Sequence, residues 1–182
     1  MPHHPMNGAA APVGFYGKIP SRGDFVRRGL PRAAAAAWDG WLDATLPEVA
    51  ALFDGRWIAA WRAARPWRFA LAPGLCGGAM TGVWLTSADR AGRPFPLVVA
   101  TGGAITEIWL DRAEALGLAT IAGELGPDDL AERLSHMPEA LPGPAAPQAG
   151  ARWWRSDAPA AHRRFESAGM PDAGMLARML TP

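Results

Sequence analysis

Residues 67–101 constrain the fold more tightly than any other part of the chain. Three apolar runs, at 67–72, 81–87 and 95–101, are separated only by PGLCGG at 73–78 and ADRAGRP at 88–94. Both separators are rich in the residues that turn a chain. A parallel pair of strands needs a crossover of about a dozen residues or more. Neither separator has room for one, so the runs predict an antiparallel meander. The first run alternates Trp67, Phe69 and Leu71 with Arg68 and Ala70, which predicts a half-buried strand. The third carries an unbroken Leu97-Val98-Val99-Ala100, the pattern of a central strand covered on both faces.

Helical and extended patterns flank this meander. VGFYGKI at 13–19 reads as a strand that Pro20 ends. Pro31 suits the first turn of a helix, and Trp38, Trp41, Leu42, Thr45 and Leu46 then fall on one stripe. Pro47 predicts a kink or a new helix, with Val49, Leu52 and Phe53 continuing the pattern to Asp54-Gly55. A short helix with Trp57, Ile58 and Trp61 inward follows and stops before Pro66. After the meander, Ile105, Trp109, Ala113, Leu116 and Thr120 share a helical face, and Pro127 opens a shorter helix through Leu130 and Leu134. Residues 152–156 read as a final edge strand, and Met175, Leu176, Met179 and Leu180 as a closing helix. Residues 1–12 read as a flexible tail, and 138–150, with four Pro and two Gly, as a loop. Helices before and after a meander predict an α/β fold: a mixed, largely antiparallel sheet covered on two faces.

Composition excludes several functions. Eighteen basic against seventeen acidic residues give a net charge of +1, which argues against nucleic-acid binding driven by phosphate contacts. Cys76 is the sole cysteine, so no disulfide within the chain and no cysteine-rich metal site can form. The start of the sequence carries neither a basic leader nor an apolar core, and no apolar run is long enough to span a membrane. The expectation is a cytoplasmic protein without membrane insertion. Self-association is left open.

Catalytic and cofactor motifs fail on spacing. Gly17-Lys18 is followed by Ile19-Pro20 rather than by the hydroxyl residue of a phosphate loop. Arg22-Gly23-Asp24 reads as a turn rather than an adhesion tripeptide. Cys76 stands in a glycine-rich turn, a setting open to a nucleophile, but neither His136 nor His162 stands in a recognisable pairing with it. Ser21 and Ser87 lack a nucleophile elbow. His3 and His4 have no third ligand, and no zinc spacing occurs. The expectation is no cofactor and no metal.

Two loops nevertheless concentrate opposite charge. One carries Arg22, Asp24, Arg27 and Arg28, the other Asp89, Arg90 and Arg93. These residues suit an ion-pair network that locks the loops together. They also suit an arginine-rich face for a protein partner, because arginine is favoured at binding hot spots.

GFYGKIPSRGDFVRRGLP at 14–31, the Trp38-Asp39 and Trp41-Leu42 pairs, WRFALAPGLCGG at 67–78, GVWLTSADRAGRPFPLVVA at 82–100 and a late RWW resemble the TagF (ImpM) family of bacterial type VI secretion. The resemblance is closest over residues 13–101 and looser over 105–182. It implies a three-layer α/β/α sandwich forming a single domain over residues 13–182, without enzyme activity. It also implies a post-translational repressor of secretion, acting in some systems on a forkhead-associated-domain protein that promotes assembly. The alternatives are a small hydrolase using Cys76 and a structural subunit of the secretion apparatus.

Overall fold

The structure, a computed structural model, describes residues 12–103, 105–137, 146–155 and 164–181. The expected meander forms its centre. Strand β3 (Trp67–Leu71) pairs with β4 (Met80–Leu85), and β4 with β5 (Leu97–Thr101), both antiparallel. Strands from both sides of the chain extend it. β1 (Val13–Gly17) adds to β5, and a short β2 (Val26–Arg28) adds to β1. On the other side β6 (Ala151–Trp154) adds to β3, and β7 (Arg164–Ser167) to β6.

The result is an open seven-stranded sheet in the order β2-β1-β5-β4-β3-β6-β7. Every pairing among the described residues is antiparallel, which corrects the expectation of a mixed sheet. The helices before the meander and those after it return the chain so that β1 and β6 run against β5 and β3. The pattern at 152–156 was expected to mark an edge, but β6 is interior, because β7 pairs outside it.

Alternate residues of the strands enter two separate apolar clusters. Tyr16, Phe69, Trp84 and Val98 join one with residues of α1 (Arg32–Leu52), α2 (Trp57–Ala63) and α5 (Ala173–Met179). Phe15, Val83 and Val99 join the other with residues of α3 (Glu107–Ile121) and α4 (Pro127–Ser135). Indoles dominate the first cluster: Trp38, Trp67, Trp84 and Trp153 are fully buried. Each hides a large area, and buried indole N–H groups seek an acceptor. Trp67 donates to the Met179 carbonyl at 2.9 Å, tying α5 to the sheet, and Trp41 donates to the Pro171 carbonyl at 2.7 Å.

Three local expectations need correction. Helix α1 continues through Pro47, so no new helix starts there. Pro47 and Asp43, one turn earlier, both stand on the exposed side, where water can satisfy the carbonyl that the proline cannot serve. Ile58 points outward, 39% exposed, because α2 turns Trp57 and Trp61 inward and the next residue is rotated off that stripe. Strand β3 is buried at every position rather than half-buried, Arg68 included.

Candidate interaction surface

The chain leaves β1 at Gly17, whose φ of 139° lies where side chains are strained. A Cβ there would also strike the Pro96 carbonyl. The Lys18 amide instead donates to that carbonyl at 3.2 Å, so the segment starts already fastened to the β4–β5 connection. A turn closes with the Arg22 amide on the Ile19 carbonyl at 3.0 Å, and the chain returns through β2.

The β4–β5 connection is built around Asp89. Its Oδ1 accepts from the Ala91 and Arg93 amides at 2.9 and 3.0 Å. Its Oδ2 accepts from Arg93 Nε at 2.6 Å and lies 3.2 Å from Lys18 Nζ. Burial alone would raise this carboxyl. The Arg93 amide, the Arg93 guanidinium and the Lys18 ammonium outweigh burial and hold it well below the usual carboxylate range. Two further bonds join the loops directly. The Arg90 amide donates to the Arg22 carbonyl at 2.8 Å, and Arg93 Nη2 donates to the Gly23 carbonyl at 3.3 Å.

The cross-loop ion pair therefore comes from Lys18, which the sequence reading passed over. Its one signal is alternation: Lys18 shares the parity of Tyr16 along β1. Asp24 is exposed and makes no ion pair among the described residues, so it does not lock the two loops. Arg27 folds back on the Leu30 carbonyl. Arg28 pairs with Asp128 of α4 at 3.1 Å, both exposed, away from the Asp89 loop. Arg22 and Arg90 are exposed, and their side chains form no ion pair among the described residues.

An aromatic cluster stands beside these charges. Phe25 stacks on Tyr16 at 5.8 Å with an interplanar angle of 7°, and meets Phe95 edge-on at 4.6 Å. The Lys18 ammonium lies 5.0 Å from the Phe25 ring centre, a cation–π contact. Phe25 is nonetheless 47% exposed. Burial and a hydrogen bond to Asp39 of α1 hold the Tyr16 hydroxyl far above its ordinary value, so it stays protonated. The two loops together present one half-exposed ring, packed on Tyr16 and Phe95, and two exposed arginines, Arg22 and Arg90, with no carboxylate partner among the described residues.

Two other candidates can be placed. Cys76 is buried, and burial pushes its thiol up to about 12, so it is protonated at neutral pH. Arg68 is the buried charge that sequence reasoning missed. Its Nη2 reaches Asp111 at 2.6 Å and Glu114 at 3.2 Å, and its Nη1 reaches Glu107. Burial works against its charge, but the hydrogen bonds it donates to Asp111 and Glu107 prevail and keep it protonated. Glu107, Asp111 and Glu114 recur at helical spacing on α3, a signal the sequence did contain. Among the described residues no group of three or more His, Cys, Asp or Glu is placed to hold a metal ion, and no helix is long and apolar enough to cross a membrane.

Residues 14–137 match the family model of the TagF N-terminal domain, described as type VI secretion system-associated. The chain belongs to this family. The match begins in β1 and takes in both locked loops, the meander, α3 and α4. The crystal structure of PA0076 from Pseudomonas aeruginosa PAO1 is similar over 93% of this chain and 94% of that one, at 31% identity and a TM-score of 0.77. That likeness extends well beyond residue 137. A comparison with curated proteins finds no significant match.

Proposed function

We propose that this chain is a non-enzymatic, cytoplasmic regulator that represses a type VI secretion system by binding an assembly factor, such as a forkhead-associated-domain protein. Repression then follows from mass action: a bound assembly factor is withdrawn from the free pool. The surface that carries the reading is the half-exposed Phe25 with the exposed Arg22 of its own loop and the exposed Arg90 of the loop hydrogen-bonded to it. A rigid aromatic beside unpaired arginines has the composition of a binding hot spot. Because the two loops are already hydrogen-bonded to each other, little ordering opposes docking. One domain over residues 13–182, with helices covering both faces as a three-layer sandwich, completes the proposal. The two apolar clusters on alternate strand residues support that arrangement.

The test is a pull-down of the purified forkhead-associated-domain protein of the same secretion system, with melting curves in parallel. The double variant Arg22→Glu/Arg90→Glu should weaken capture about tenfold or more with the melting midpoint held, and Phe25→Ala should weaken it as much while lowering the midpoint only by its lost ring contacts. Capture equal to wild type removes this face from consideration. Deleting the gene should raise secretion; no change removes the repressor role. Stable retention of the chain in the assembled apparatus would make it a structural subunit instead. For Cys76, thiol labelling against a Cys76→Ser control should proceed only on unfolding. Fast labelling of the native protein would reopen a nucleophilic role.

A further inference from the structure

A trough of about 570 Å³ lies between the last turn of α1, helix α2 and helix α5. Helix α2 has two functions along its length. Trp57 and Trp61 face inward with ring centres 5.0 Å apart and planes tilted by 50°, and Trp61 meets Trp84 edge-on. Arg56, Ala59, Ala60 and Ala63, at helical spacing on another side, line the trough. Leu52, 59% exposed, stands at the end of α1 beside them. The alanines keep the wall low, so a bound backbone could approach closely.

The charges here have one sign. Arg56 and Arg178 line the trough, and among the described residues no Asp or Glu does. Arg56 is exposed and forms no ion pair among the described residues. Arg178 lies 5.4 Å from the Phe165 ring centre and meets no carboxylate among them. Helices rather than a strand edge form the walls, so the surface suits helix-in-groove docking rather than strand addition. From the apolar lining and the positive charges we infer that the trough docks an amphipathic, acidic helix of a partner protein. Its apolar stripe would cover Leu52 and the alanines, and its carboxylates would meet Arg56 and Arg178. This surface shares no residue with the Phe25 loops, and the inference stands apart from the repressor reading.

The probe is a fluorescein-labelled peptide of about 18 residues, long enough to be helical in isolation, with one leucine stripe flanked by glutamates. Its control carries lysine at every glutamate position. Anisotropy with the full chain should show the acidic peptide binding about tenfold tighter than the basic one. Ala60→Trp fills the trough, and Arg56→Glu/Arg178→Glu reverses its charge. Each should cost about tenfold or more in affinity with the fold intact by circular dichroism. If Ala60→Trp fails to fold, the double variant decides alone. Equal affinity for both peptides, binding of neither, or variants that bind like wild type would overturn the inference. So would a dimer in sedimentation that Ala60→Trp dissociates, since the occupant would then be a second copy.

Discussion

Asp89 and Arg68 are buried charges of opposite sign, 2% and 3% exposed. Asp89 sits in a loop, and its partners are two backbone amides, a Lys18 whose side chain is only 12% exposed, and Arg93, which at 67% exposed is the one partner open to water. Arg68 sits within the sheet, and its partners are carboxylates of α3, of which Glu107 and Asp111 are 61% and 64% exposed. The difference lies in what remains if the central charge is lost. Removing Asp89 strands amides and an ammonium held against two aromatic rings. Removing Arg68 leaves Glu107 and Asp111, which rehydrate, and Glu114, only 21% exposed, which rehydrates less. A buried ion is costly to delete when its partners are also shut away from water.

Four experiments would sharpen or break this contrast. The largest effect is expected from Asp89→Ala, which should lower the melting midpoint by about 10 °C, read by calorimetry. Arg68→Ala should cost about 2–3 kcal/mol in urea unfolding, through lost packing and crowded carboxylates. Arg68→Met, which keeps the volume, should recover to within about 1 kcal/mol of wild type. If methionine is as damaging as alanine, the α3 carboxylates depend on the cation more than their exposure suggests.

The third experiment is a pH series of urea midpoints. The folded Asp89 carboxyl is held below its unfolded value, so its stabilisation is complete above an ordinary carboxylate value of about 4. It is lost as pH falls from there through the folded value. Asp89→Asn should flatten this acid limb, and Arg68→Met should retain it. A limb unchanged by Asp89→Asn would show that other carboxylates carry it. The smallest effect is expected for Arg28→Ala. Its partner Asp128 is 78% exposed, so the variant should stay within about 0.5 kcal/mol of wild type.

Much of the sheet was readable because short separators leave few topologies. The meander, β1 and the stripe of α1 all follow from period and turn chemistry. Trp38, Leu42 and Thr45 are buried as their spacing requires. What escaped is what depends on distant partners. Strand β2 is three residues, two of them arginines, and its extended form comes from pairing with β1. Arg68 looked solvent-facing because nothing near it in sequence could neutralise it; its partners arrive on α3 after the meander is complete. The locked loops were half-legible. Asp89 and Arg93 lie four residues apart, whereas Lys18 reaches Asp89 only because β1 joins β5. The forecast tail and part of the proline-rich loop, residues 1–11 and 138–145, lie outside the described residues.

The strand order also has a kinetic side. Strands β3, β4 and β5 are neighbours in both sequence and space, whereas β1 must wait for β5 and β6 must find β3 across two intervening helices. Chain synthesis therefore delivers β1 and its short partner β2 long before β5, the neighbour on the other side, exists. Until residue 101 emerges, Phe15 and Tyr16 have only the three residues of β2 beside them, and the nascent chain carries an aromatic strand with one edge unmet. Assembly should spread outward from the meander, with both flanks closing last.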